Sequence, residues 1–243
     1  MQIFFKTDIG KVRSSNQDYC RYGSFSDTCA WAVVCDGMGG ANGGSVASVE
    51  AVDEICRRLN EDFKASMTED ELVELMKSAV SSANSKVYAM SCESECLRGM
   101  GTTVELAVIK DGTVHIVHAG DSRVYLVYND RIDQLTIDHS LVQEMVSRGQ
   151  ITPEQARVHP NKNYITRALG VSEALNLDCI SRPFSQGNML LMCTDGLTNY
   201  FESGELLETI KQTPCEEITD RLVSIAKERG GNDNITVAVI VAD

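Results

Sequence analysis

Closely spaced strand-like segments constrain this chain more than any other feature. TTVELAVI at 102–109, TVHIVHA at 113–119, RVYLVY at 123–128 and RIDQLT at 131–136 follow one another with little between them. Asp111-Gly112 joins the first two and Asn129-Asp130 the last two, residue pairs that close tight hairpins. The spacing therefore predicts β-hairpins, and Asp111 needs no role beyond its turn.

Ahead of these strands the apolar period is helical. One helix is predicted from about Gly44 to Leu59, with Val46, Val49, Val52, Ile55, Cys56 and Leu59 on one stripe. A second starts at a capping box, Thr68 with Glu71, and carries Leu72, Leu75, Met76, Ala79, Val80, Ala83 and Val87 at helical spacing. Each should lie flat on a sheet or on another helix.

Beyond the hairpins, residues 138–168 change character. A short helix around Leu141, Val142, Met145 and Val146 leads to Thr152-Pro153-Glu154-Gln155, a helix start with proline at its first position. The polar, basic RVHPNKNYITR follows, and the segment reads as a mobile excursion beside the sheet. Strands resume at LDCI and NMLLMCT. Helices are expected near 205–211 and 215–229, the latter from a capping box at Thr213-Pro214-Cys215-Glu216. The apolar NITVAVIVA then reads as a mid-sheet strand. No repeat, low-complexity tract or linker divides the chain.

Composition excludes several functions. A net charge of −13 argues against a nucleic-acid binder, which needs a basic surface to meet phosphates. No window reaches about 18 apolar residues, and the first residues do not form a signal peptide, so no membrane span is expected. Nine cysteines, a high and odd number, fit a reducing cytoplasm better than a disulfide scaffold. Cys92 and Cys96 lack a second Cys/His pair for zinc. Cys35 and Cys193 lie beside acids of interest and are candidates for redox sensitivity, with core packing as the rival role.

Those acids carry the functional signal. The apolar run ending in VVCDGMGG places Asp36 where a buried strand stops, followed by Gly37, Gly39 and Gly40. NMLLMCTDG puts Asp195 at another strand end, and GGNDNITV sets Asp233 just before the last strand. Asp18 follows a polar turn opened by Arg13, and Asp121 lies between two strands. An unpaired buried carboxylate is expensive, and a shared divalent cation offsets that cost. Turn formation is the rival for each acid, and solvation is the rival for Arg13. Oxygen-only donors favour Mg²⁺ or Mn²⁺ over zinc, and several carboxylates with one able to bridge suggest two ions activating water for attack on phosphorus. Arg13 would grip phosphate oxygens with its planar fork. Neither an EF-hand nor a P-loop is present.

Taken together, the segments resemble the metal-dependent protein phosphatases of the 2C family, specifically the compact bacterial serine/threonine enzymes. The motifs stand in family order: TDIGKVRSSNQD at 7–18, VVCDGMGGANGGSVAS at 33–48, GMGTT at 99–103, HAGDSRVY at 118–125, DHS at 138–140, TRALG at 166–170, CTDGL at 193–197 and GGNDNITV at 230–237. The resemblance implies an α+β fold: a four-layer α-β-β-α sandwich of two antiparallel sheets flanked by helix pairs. One catalytic domain would span 1–243, with a variable flap at about 139–168 that influences substrate choice. It implies hydrolysis of phosphoserine and phosphothreonine by metal-activated water, without a phosphoenzyme.

Carried over by residue, Asp36 bridges two Mn²⁺ or Mg²⁺ ions, with the Gly37 carbonyl on one of them. Asp195 and Asp233 complete the first site, and Asp18 serves the second. Asp121, with Asp195 shared, takes a third, weaker ion. Arg13 holds the phosphate, and Asn234 partners a metal-bound water. Met38 stands where eukaryotic members carry a histidine proposed as general acid, and Gln17 where they carry a metal-ligating glutamate. A metal-bound water and His159 both remain open as general acid. The implied partners are phosphorylated proteins, including a Hanks-type serine/threonine kinase, with no nucleic acid or membrane. The enzyme is expected in the cytoplasm as a monomer. The alternatives are a pseudophosphatase or regulatory binding module, which usually lacks one or more of these acids, and a phosphatase acting on an anti-sigma-factor antagonist.

Overall fold

The structure, a computed structural model, describes residues 1–242, residues 40–42 through their backbone alone. Strands β1 (Gln2–Asp8), β2 (Asp18–Ser26) and β3 (Cys29–Met38) lead into helices α1 (Gly40–Asp62) and α2 (Glu69–Glu93). A short β4 (Gly101–Thr102) precedes β5 (Val104–Lys110), β6 (Thr113–Ala119), β7 (Arg123–Tyr128) and β8 (Arg131–Gln134). The segment that follows β8 holds α3 (Leu141–Ser147) and α4 (Pro153–Arg157). The chain ends with β9 (Asp178–Pro183), β10 (Met189–Cys193), α5 (Asp195–Thr198), α6 (Ser203–Lys211), α7 (Ile218–Glu228) and β11 (Ile235–Val241).

Both hairpins form as predicted. Asp111 and Gly112 have φ of 51° and 77°, and Asn129 and Asp130 have φ of 45° and 61°. Positive φ at both central residues matches the right-handed twist of the strands, and Asp, Asn and Gly tolerate it best. Antiparallel pairing then builds two sheets, β1-β11-β10-β7-β8 and β2-β3-β5-β6-β9, with β4 pairing β3.

Three apolar layers hold the sandwich together. Alternate residues of β3 face opposite ways, so both of its faces must be covered. Ala32 and Val34 meet Leu190, Met192 and Ile240 between the sheets, while Trp31, Val33 and Cys35 pack under α1 and α2. On the far side α5, α6 and α7 cover β10 and β11 through Leu197, Leu206, Leu222 and Val223. This is the α-β-β-α order, and it explains why the sequences of β3 and β11 are apolar without alternation.

Helix α2 begins at the predicted capping box: Thr68 accepts from the Glu71 amide and Glu71 from the Thr68 amide. Thr152 and Gln155 cap α4 in the same way. Helix α1 starts at Gly40, earlier than the apolar stripe suggested. Glycines weaken a helical pattern, but here they permit close approach: a Cβ on Gly44 would stand 2.6 Å from the Gly37 carbonyl oxygen.

The capping box predicted at Thr213–Glu216 is not formed. The Thr213 hydroxyl donates back to the Thr209 carbonyl at 2.7 Å, at the end of α6. Pro214 opens a single 3-10 turn over Cys215–Glu217, and α7 starts only at Ile218. Among the described residues no helix is long and apolar enough to cross a membrane.

Candidate metal centre

Strand pairing assembles the acids. Asp18 opens β2 and is the register partner of Asp36 in β3, so the two side chains share a face. On the other sheet, β10 pairs β11 with Cys193 opposite Val237. The residues just beyond those ends, Asp195 and Asp233, therefore meet at one rim. Asp121 lies in the β6–β7 loop and Arg13 in the β1–β2 loop at the same rim. Arg13, Asp36, Gly37, Asp121, Asp195 and Asp233 line one cleft of about 450 Å³, with Asp18 buried beneath.

Close backbone packing fixes the floor. The Asp36 amide donates to Thr103 Oγ1 at 2.9 Å, and the Asp36 carbonyl accepts from the Thr103 amide and the Thr102 hydroxyl, each at 2.9 Å. Gly37 donates its amide to the Gln17 carbonyl at 3.1 Å, leaving its own carbonyl against Gly44. A side chain at Gly37 would overlap the Gly44 carbonyl, so glycine is required there.

The carboxylates are short of counter-charge. Burial, followed by repulsion from Asp18, Asp195, Asp121 and Asp233, holds the Asp36 carboxyl well above its usual range. Burial also raises Asp121, with repulsion from Asp195 next. Asp195 is raised by burial and by Asp233. Burial pushes Asp18 up to about 7, although Thr236 and Thr194 hydroxyls favour its ionised form. Arg13, whose Nη2 meets Asp233 Oδ2 at 2.7 Å, is the cation among the cleft-lining residues.

A divalent cation fits these residues. Asp18 Oδ1 and Asp121 Oδ1 are buried with no hydrogen-bond partner, an expensive state for a carboxylate oxygen. The donors are all oxygens, the set that hard cations prefer. Among the described residues, however, no three acidic, His or Cys side chains already converge into a cage. Thr194 holds Asp18 Oδ2 at 2.9 Å and Arg13 holds Asp233 Oδ2, so two of the acids already have one oxygen committed to the protein.

Asn234 holds the Arg13 loop through backbone contacts. Its Oδ1 accepts from the Gln17 amide at 2.8 Å, and its Nδ2 donates to the Ile9 and Ser15 carbonyls, each at 3.0 Å. Both amide protons are committed to backbone, while Oδ1 keeps a second lone pair for a further donor. His159 does not line the cleft; its Nδ1 accepts from the Asn161 amide at 3.1 Å. Cys35 and Cys193 are fully buried, and burial raises both thiols well above their usual range, which opposes redox reactivity.

Three supporting residues were not read from the sequence. Thr194 anchors Asp18, Asn199 Nδ2 donates to Asp195 Oδ2 at 3.2 Å, and Thr103 grips the Asp36 backbone. Thr194 and Thr103 act on groups from distant segments, and only the CTDGL and GMGTT matches pointed near them; Asn199 reaches back four residues to Asp195.

The comparisons agree with this architecture. A family model for protein phosphatase 2C matches residues 11–238. The serine/threonine phosphatase stp of Listeria innocua is 38% identical over 244 residues, covering 99% of this chain and 95% of that one. The serine/threonine phosphatase of S. agalactiae superposes with a TM-score of 0.92 at 32% identity, covering 100% of this chain and 99% of its own. The catalytic domain of the serine/threonine protein phosphatase PstP, solved in complex with 2 manganese ions, gives a TM-score of 0.87 at 31% identity over 100% of this chain and 98% of that one. The fold and its acidic rim define a protein phosphatase. The chain belongs to the protein phosphatase 2C family, among its bacterial serine/threonine enzymes.

Proposed function

We propose that the chain hydrolyses phosphoserine and phosphothreonine in proteins with two Mn²⁺ or Mg²⁺ ions held by Asp36, Asp195, Asp233, Asp18 and the Gly37 carbonyl. Asp121, with Asp195, would hold a third. One observation carries this reading: five carboxylates from both sheets meet at one rim with Arg13 as the cation lining the cleft. Such a site needs cations. Bound there, divalent ions supply a nucleophile at neutral pH and neutralise charge on the phosphoryl oxygens.

The protein's own residues prepare the site. Thr102 and Thr103 fix the Asp36 backbone, so its carboxylate cannot withdraw from the cleft. Arg13 stands half-exposed on Asp233. A phosphate dianion competes for that guanidinium, which can grip two of its oxygens side by side. Asn234 keeps the loop close enough for this exchange.

A second groove of about 390 Å³ runs from the cleft between the flap and α5–α6, and shares Asp121 and Asp195 with it. It offers room for the polypeptide on either side of the phosphoresidue, which supports protein substrates, a serine/threonine kinase among them. The nine cysteines are all free thiols, in keeping with a reducing cytoplasm. One chain carries the whole rim, so a monomer suffices.

The decisive assay is phosphate release from a phosphothreonine peptide with Mn²⁺, with EDTA, and with Asp36→Asn. Turnover should require the metal and fall by at least about 1000-fold in the variant, the scale of losing a preorganised electrostatic group. Metal-independent turnover, or an active Asp36→Asn enzyme, would refute the reading. A folded chain inert under every condition would favour a binding module.

A further inference from the structure

We infer that the Thr103 hydroxyl is a positioning group that ties the Asp36 segment to the Asp121 segment and so sets the spacing of the metal acids. Asp36 lies on β3 and Asp121 on the loop after β6, two segments without adjacent pairing at the rim. Between them Thr103 Oγ1 accepts the Asp36 amide at 2.9 Å and stands 2.8 Å from Ser122 Oγ, next in sequence to Asp121. Thr103 and Ser122 are both fully buried, so water does not substitute for either contact.

Thr103 Oγ1 uses one lone pair for the Asp36 amide and has both a proton and a second lone pair for Ser122 Oγ, so the link is made whichever of the two hydroxyls donates. Thr103 also donates its amide to the Asp36 carbonyl, so it holds both backbone groups of that residue. Displacing Thr103 therefore moves two carboxylates together. Thr102 reaches the Asp36 carbonyl but makes no contact with the Asp121 segment in its hydrogen bonds.

This inference rests on the metal-centre reading, and its test separates the two. Mn²⁺ binding is measured by calorimetry on the wild type, Thr103→Val, Thr103→Ser and Ser122→Ala, alongside each thermal transition in EDTA. Valine keeps the shape and removes the hydroxyl; serine keeps the hydroxyl. Thr103→Val should bind Mn²⁺ about 10-fold more weakly or worse, as expected when a ligand's support is lost. Thr103→Ser should stay within about 2-fold of the wild type, and Ser122→Ala, which leaves the Asp36 amide satisfied, should weaken binding several-fold. A role in packing alone predicts the reverse order, with serine worse than valine.

Wild-type Mn²⁺ affinity in Thr103→Val would overturn the inference while leaving the metal centre standing. If Thr103→Val does not fold, Ser122→Ala decides: unchanged affinity refutes the link. Absence of Mn²⁺ binding by the wild type would overturn both.

Discussion

At the scale of single residues, the site is held by backbone more than by side chains. Asn234 shows this best, because its one amide group ties together Gln17, Ile9 and Ser15. Asn234→Ala removes three hydrogen bonds and should destabilise the protein by about 2 kcal/mol, since the freed groups are only partly buried. The Arg13 loop should then exchange its amide hydrogens faster, and KM for a phosphopeptide should rise more than kcat falls. A fall in kcat alone, with unchanged exchange in residues 9–17, would point instead to the water-partner role. Asp36 and Asp195 were legible as acids closing apolar runs beside glycine, although β3 continues past Asp36 to Met38 because Gly37 and Met38 pair with β4. The supports were not: nothing local tells Asn234 which carbonyls it will meet, because those lie more than 200 positions away, at |i−j| of 225 and 219.

At the scale of elements, pairing creates a second charged arrangement away from the cleft. Glu105 on β5 and His118 on β6 are register partners, both wholly buried, and His118 Nδ1 meets Glu105 Oε1. His118 Nε2 also reaches the Ile137 carbonyl at 3.0 Å, so a protonated ring finds an acceptor at each nitrogen. Burial alone would lower its pKa, but Glu105 and that carbonyl together raise it to about 9. Burial in turn raises Glu105 to about 7, against the pull of His118. For a folded pKa above the unfolded one, the stabilisation is complete below the unfolded value and disappears as pH rises through the folded value. His118 therefore stabilises fully below about pH 6.5, its unfolded value, and loses that contribution towards about pH 9.

The wild type with Mn²⁺ should lose roughly 2 kcal/mol between pH 7 and 9, about 4–8 °C in Tm for a chain of this length. A Glu105→Gln/His118→Asn double variant should show a flatter profile. Equal slopes would mean that the pair does not titrate in this window. No local signal announces this pair, because both residues sit in strands that otherwise read as apolar. The sequence did reveal the hairpin that sets their register, since Asp111-Gly112 is a local signal. The failed cap at Thr213 marks the opposite limit, where a hydroxyl had two helices to choose between.

At the scale of the molecule, the rim acids join the two halves of the sandwich. Asp18 and Asp36 belong to the sheet under α1 and α2, whereas Asp195 and Asp233 flank the ends of β10 and β11 in the other. This convergence could not be read from spacing, because the order of strands across two sheets is decided by long-range pairing; the ordered family motifs supplied it instead. The convergence has an energetic consequence. Burial and then mutual repulsion raise Asp36, Asp121 and Asp195, so a bound cation would offset an electrostatic cost of the folded state. Ions that bind only the folded chain stabilise it by mass action, by about 2.7 kcal/mol at a hundredfold excess over Kd. The Tm should accordingly rise by about 5–10 °C from EDTA to saturating Mn²⁺. Asp36→Asn should shift the two states in opposite directions. Its neutral amide relieves the repulsion and raises the Tm in EDTA, while the rise with Mn²⁺ largely disappears. A variant less stable than the wild type in EDTA would show that Asp36 serves the fold through contacts of its own. The expected outcome would show that the chain gives up stability at its rim to keep a centre ready for cations.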